Sequence, residues 1–195
     1  MTCGADEICR GEFRCGSADS PALAGGWGMQ NIFLIGFMGA GKSTIAKWLH
    51  RQKGMRLIEM DEEIVQREKM SINEIFAVHG ETYFRELETK LLEGLGEQNN
   101  TVVSCGGGVP MRRCNVDAMR KSGKIVYLSA SPQTIFERVR NNHDRPLLEG
   151  NMNVEYISEL MNRRLPHYLS AADITVETDH RRAADICQEI LEKVR

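Results

Sequence analysis

The chain has 195 residues, 42% of them hydrophobic and 27% charged, with a net charge of −2. That is enough length and apolar content for one α/β domain with a buried core. The charge balance argues against nucleic acid or an anionic membrane as partner, and no apolar stretch approaches bilayer-spanning length.

Residues 1–29 are rich in Gly, Ala, Ser and Asp, have no sustained period and end in Ala24-Gly25-Gly26-Trp27-Gly28. They read as a disordered N-terminal extension, without the basic segment and apolar core of a secretory signal. The domain is expected to span 30–195. Six cysteines stand at 3, 9, 15, 105, 114 and 187, with no C-x-x-C pair and no zinc spacing. Free thiols in a reducing cytosol are expected.

From Asn31 onward, strand-like and helix-like segments alternate. Short apolar runs predict strands at 31–35, 56–59, 101–104, 124–128 and 173–176. Helices are predicted at 42–52, 61–69, 72–79, 81–97, 111–121, 132–141, 153–168 and 181–194. Ser71-Ile72-Asn73-Glu74 has the capping-box pattern, and Ser131-Pro132 supplies a cap residue followed by an N1 proline. Alternation of this kind predicts a three-layer α/β/α fold on a five-stranded parallel sheet, with ligands at the C-terminal strand ends. The polar stretch 141–153 is expected to be a lid, against the plainer reading of an exposed connection.

Gly36-Phe37-Met38-Gly39-Ala40-Gly41-Lys42-Ser43 fits G-x-x-x-x-G-K-S/T, after the apolar run Ile32-Phe33-Leu34-Ile35 and before a helix. Strand, glycine turn and helix are the context a phosphate-binding loop requires. Glycines let backbone N–H groups converge on an anion, and the helix N-terminus adds partial positive charge. Residues Gly39, Ala40, Gly41, Lys42, Ser43 and Thr44 are thus expected at ATP, with Lys42 on the β- and γ-phosphates and Ser43 on Mg²⁺.

Other residues carry chemistry less clearly. Asp61 follows the second apolar run and could accept a hydroxyl proton or cap the next helix. Glu59 could reach Mg²⁺ through water or simply end a strand. Arg85 sits beside the stripe Phe84, Leu87, Leu91 and Leu95, with Glu81 and Glu88 at i−4 and i+3. It is either a surface ion pair or a guanidinium fixed for a substrate carboxylate. Gly106, Gly107 and Gly108 directly follow a strand, which suggests close approach of backbone to ligand. Arg145 stands in the lid stretch, and Arg164 ends a predicted helix before Pro166 and Tyr168.

In this order these pieces resemble the shikimate kinase family over residues 31–195. The resemblance rests on the phosphate loop through Thr44, Met60-Asp61, Ser71 to Phe76, Gly80-Glu81 with Phe84-Arg85 and Glu88, Gly106 to Gly108, Arg145-Pro146-Leu147-Leu148, and Arg164-x-Pro166-x-Tyr168. It implies transfer of the ATP γ-phosphate to the 3-hydroxyl of shikimate, with ATP and Mg²⁺ as cofactors, in aromatic amino-acid biosynthesis. It implies that Asp61 meets the shikimate hydroxyls, that Arg85 and Arg164 grip its carboxylate with Glu88 orienting Arg85, and that Gly106 to Gly108 lie beside the substrate. Lys42, Asp61 and Arg145 would be catalytic, and Arg140 would stack on adenine, with residues near 177–181 on its other face. A cytoplasmic monomer is expected. Glu59 departs from the family's usual aspartate. Another small-molecule kinase of this fold, such as a gluconate kinase, or a non-catalytic sensor are the alternatives.

Overall fold

Five apolar runs pair in parallel into one sheet, in the order β2-β3-β1-β4-β5. The computed structural model describes residues 30–96, 98–140 and 153–194. β1 (Asn31–Ile35) is central and buried along its length, between β3 (Thr101–Ser104) and β4 (Gly123–Ser129). β2 (Arg56–Glu59) flanks β3, and β5 (Ile174–Glu177) flanks β4. Register aligns Ile35 with Tyr127 and Leu34 with Ser104, so the loops leaving β1 and β3 emerge side by side.

Alternate residues of β1 face opposite layers, as the two-residue strand period demands. Ile32 and Leu34 pack with α1 (Lys42–Lys53), α5 (Pro132–Val139) and α7 (Ala183–Val194). Phe33 and Ile35 pack with α2 (Met60–Glu68), α3 (Ile72–Glu93) and α4 (Arg113–Ser122). Truncating a fully buried residue such as Ile32 to Ala would cost about 2–5 kcal/mol. The sixth helix, α6 (Val154–Ala171), places Ile157 in the first core and Tyr168 and Ala171 in the second. It therefore crosses the sheet's edge, carrying Arg164 past the strand ends.

Both predicted caps form. Ser71 Oγ accepts from Glu74 N at 3.2 Å while Glu74 returns a carboxylate oxygen to Ser71 N at 2.7 Å. Ser131 Oγ accepts from Thr134 N at 3.2 Å, ahead of Pro132.

Several boundaries differ from the sequence expectation. The expected segments 72–79 and 81–97 do meet at a kink at Gly80 within α3, but the second ends at Glu93. Gly80 has φ 81°, a conformation that glycine adopts at no steric cost, and the two helical stretches meet there at a kink. Helix α4 starts at Arg113, after a separate 3₁₀ turn, Val109–Met111. Arg164 does not end its helix, because α6 runs through Pro166 to Ala171. Burial of Tyr168 and Ala171 holds that last turn, and Arg120 Nη2 donates to Ser170 O at 2.8 Å and Ala171 O at 3.3 Å. Helix α5 stops at Val139, short of 141. Most of the expected lid, 141–152, and the extension 1–29 lie outside the described residues.

Candidate active site

A cleft of about 1130 Å³ opens over the C-terminal strand ends. Residues 38–45 form one wall, Arg85, Glu88 and Gly106 to Gly108 another, and Asp61 and Arg164 lie between them. The phosphate loop and the suspected substrate clamp thus share one space.

Helix α1 begins at Lys42, directly after the glycine turn, which aims its unpaired N–H groups at the cleft. Lys42 Nζ donates to Gly36 O and Phe37 O, each at 3.0 Å, so the ammonium lies against its own loop. Ser43 Oγ donates to Glu59 Oε2 at 2.9 Å and lies 3.4 Å from Ser104 Oγ. Glu59 is therefore no mere strand end. Its Oε1 is buried and has no partner among the described residues. A buried carboxylate oxygen without a donor, next to a serine hydroxyl, fits a hydrated hard cation. No group of three His, Cys, Asp or Glu that could hold a metal occurs among the described residues. Mg²⁺ suits such a place, since it takes few protein oxygens and relies on phosphates and water.

The glycine triplet is the floor of the second half. A Cβ at Gly108 would lie 2.6 Å from Arg85 Cζ. One at Gly106 would lie 2.6 Å from Glu88 Oε1 and 3.2 Å from Asp61 Oδ1. At Gly107 the nearest atoms would be Arg164 Nη1 at 3.6 Å, Gly36 O at 3.7 Å and Tyr168 OH at 3.7 Å. Two guanidinium groups and two carboxylates from three helices therefore rest on one bare stretch of backbone.

Arg85 is fixed from two sides: Nη1 meets Glu88 Oε2 at 2.9 Å and Nη2 meets Glu81 Oε1 at 2.8 Å. Glu88 is fully buried. Burial raises its pKa, Arg85 offsets this only in part, and nearby Asp61 adds to the rise. On Arg85 burial works against the cation, but Glu88 and Glu81 outweigh it and hold its pKa above the ordinary value. This is not the exposed ion pair that helix spacing alone would suggest. Arg164 Cζ lies over the Phe37 ring at 5.7 Å. Tyr168 OH donates to Gly107 O at 2.7 Å, and its ring stacks on Tyr127 at 5.2 Å. Burial pushes that phenol up to about 12, with the Arg164 charge acting the other way.

The nucleotide end needs one correction. Arg140, expected at adenine, is exposed just past α5 and does not line the cleft. Arg138 does: Nη1 donates to Gly39 O at 3.2 Å and Thr178 Oγ1 at 3.1 Å, and Nη2 to Thr178 O at 2.8 Å. It ties the phosphate loop to the loop after β5, which Asp179 anchors by accepting from Ser131 N at 2.9 and 3.1 Å. Sequence reading also missed an apolar wall of Ile72, Phe76 and Phe84. Arg145 lies outside the described residues.

Comparison with known proteins agrees with this geometry. The profile described as "Shikimate kinase" matches residues 38–195. This chain belongs to the shikimate kinase family. A shikimate kinase from Dehalococcoides mccartyi is 41% identical over 165 residues, covering 85% of this chain and 93% of the relative. The solved shikimate kinase from Acinetobacter baumannii, in complex with shikimate, superposes with a TM-score of 0.78 at 32% identity, covering 84% of this chain and 92% of that one. A gluconokinase from Sinorhizobium meliloti shares the fold alone, at TM-score 0.52 and 18% identity over 86% of this chain and 92% of the other. The phosphate loop of this chain lies between its first strand and first helix. No helix among its described residues is long and apolar enough to cross a membrane. Its described cysteines, Cys105, Cys114 and Cys187, are free thiols.

Proposed function

We propose that this chain transfers the γ-phosphate of ATP to the 3-hydroxyl of shikimate, giving shikimate 3-phosphate and ADP. One observation carries the reading. Arg85 and Arg164 come to the same glycine triplet as Asp61, in the cleft that the phosphate loop opens into.

Arg85 and Arg164 bind the substrate carboxylate, where planar guanidinium groups match a two-oxygen anion. Asp61 accepts from the reacting hydroxyl and takes its proton as the oxygen attacks. Lys42 turns from its loop carbonyls, Gly36 O and Phe37 O, to the charged β- and γ-phosphates. Ser43 and Glu59 would hold Mg²⁺, which would supply positive charge against the charge developing on the transferring phosphoryl group. Ser43 can keep donating its proton to Glu59 Oε2 while its lone pairs stay available. Arg138 supports the nucleotide by holding Gly39 and Thr178 in place. Arg145 is assigned to the transferring phosphoryl group by its motif, within a lid spanning about 141–153. On this reading the protein works in the cytoplasm as a monomer, with 30–195 as its catalytic domain.

The test is a coupled ADP-release assay with shikimate, with gluconate and with no acceptor. Turnover with shikimate alone is expected. Turnover only with gluconate, or tight ATP binding with no acceptor-dependent turnover, would overturn the proposal.

A further inference from the structure

We propose that Tyr168 is a positioning residue for the carboxylate clamp, aiming Arg164 from a hydroxyl anchored on the Gly107 carbonyl. The inference rests on the shikimate reading above.

The two clamp arginines are held in different ways. Arg85 has two carboxylate braces, Glu81 and Glu88. Among the described residues Arg164 forms no ion pair; the Phe37 ring, Gly107 and Tyr168 lie against it. A guanidinium without a carboxylate keeps its whole charge for an incoming anion, but it must be aimed by something neutral. Tyr168 stands one helical turn after Arg164, so both project from the same face of α6. Its ring is fixed by burial at 1% exposure and by the stack on Tyr127. Its proton goes to Gly107 O at 2.7 Å, which leaves the oxygen lone pairs available to the Arg164 guanidinium that meets the same residue, Gly107. With its pKa pushed up to about 12, the phenol stays a neutral donor throughout any ordinary assay range. The hydroxyl thereby ties the triplet's middle residue to the arginine that faces it, and Phe37 closes the other side of that arginine from within the phosphate loop.

The experiment is Tyr168→Phe, which keeps the ring and its stack and removes one oxygen. Shikimate and ATP dissociation constants are measured by calorimetry on wild type, Tyr168→Phe, Arg164→Ala and the double variant, with melting curves as fold controls. Tyr168→Phe should weaken shikimate binding about tenfold, equivalent to about 1.4 kcal/mol, and leave ATP within about twofold. In the Arg164→Ala background the same change should cost nothing further, because the group it acts through is gone. A lower melting temperature with unchanged shikimate affinity would overturn the inference, leaving a structural hydroxyl. A full tenfold loss persisting in the Arg164→Ala background would overturn it too. A wild type that binds no shikimate would instead remove the functional reading, and this inference with it.

Discussion

Gly108→Ala separates clamp geometry from fold. Gly108 has φ −94° and ψ −9°, which alanine accepts, so the backbone itself resists nothing. The new methyl carbon would sit 2.6 Å from Arg85 Cζ, and an ordinary contact begins near 3.4 Å. Arg85 Nη1 would be closer still, so the guanidinium must retreat by about 1 Å. It cannot do so freely, because Nη1 is bonded at 2.9 Å to a Glu88 carboxylate that is itself fully buried. The fold survives, since the obstructing atoms are the far end of a long side chain, and Ala reduces unfolded-chain entropy by about 0.4–1 kcal/mol. Recognition does not survive: misplacement near 1 Å costs up to about 100-fold. The expectation is a 10- to 100-fold rise in shikimate KM, about 1.4–2.8 kcal/mol, with ATP KM within about threefold. ADP release is followed against shikimate at saturating ATP, alongside a melting curve. An unchanged shikimate KM in a folded variant would refute the claim that Arg85 binds substrate from this position.

Arg138→Ala should raise ATP KM about tenfold while Arg140→Ala changes it little; the reverse order would restore Arg140 to the nucleotide. Lys42→Ala should lower kcat by at least 100-fold, and near-normal turnover would remove Lys42 from the phosphate charge. Glu88 gives a pH signature. Its folded pKa is raised by burial, so its stabilising effect is complete below the unfolded value near 4.5 and declines as pH climbs through the folded value. Denaturant melts from pH 4 to pH 8 should therefore show Glu88→Gln gaining stability relative to wild type as pH rises, and a relative loss would mean that pairing with Arg85 outweighs burial.

Much of this was legible in the chain because the signals were local. Five apolar runs, two caps and the phosphate loop each declare themselves within a few residues, and strands and helices stand within a few residues of their expected ends. What escaped depends on contacts between distant segments. Spacing alone left the Arg85–Glu88 pair open between a surface ion pair and a fixed guanidinium, and Glu88 is fully buried with Gly106, from the loop after β3, against it. Arg140 was preferred over Arg138 because nothing nearby in sequence points to Thr178, 40 residues beyond Arg138. A finer reading of helix phase could have helped. At about 100° per residue, Arg138 lies roughly 60° from core-facing Ile135, whereas Arg140 lies roughly 140° away. Pro166 lies inside α6, as the predicted helix 153–168 has it, and burial of Tyr168 and Ala171 carries the helix three residues further.

The three triplet positions are not equally free to drift. At Gly107 a methyl group would meet nothing closer than 3.6 Å, so that site has room for alanine. Its neighbours are blocked by side chains: Gly106 by Glu88, with Asp61 also crowding it, and Gly108 by Arg85. A lineage changing its acceptor would have to alter the long helix and the loop together, because either step alone disables the old substrate before admitting a new one. Such mutual dependence makes this pocket hard to retune by single mutations, and it predicts that residues 85, 88, 106 and 108 change as a set or not at all.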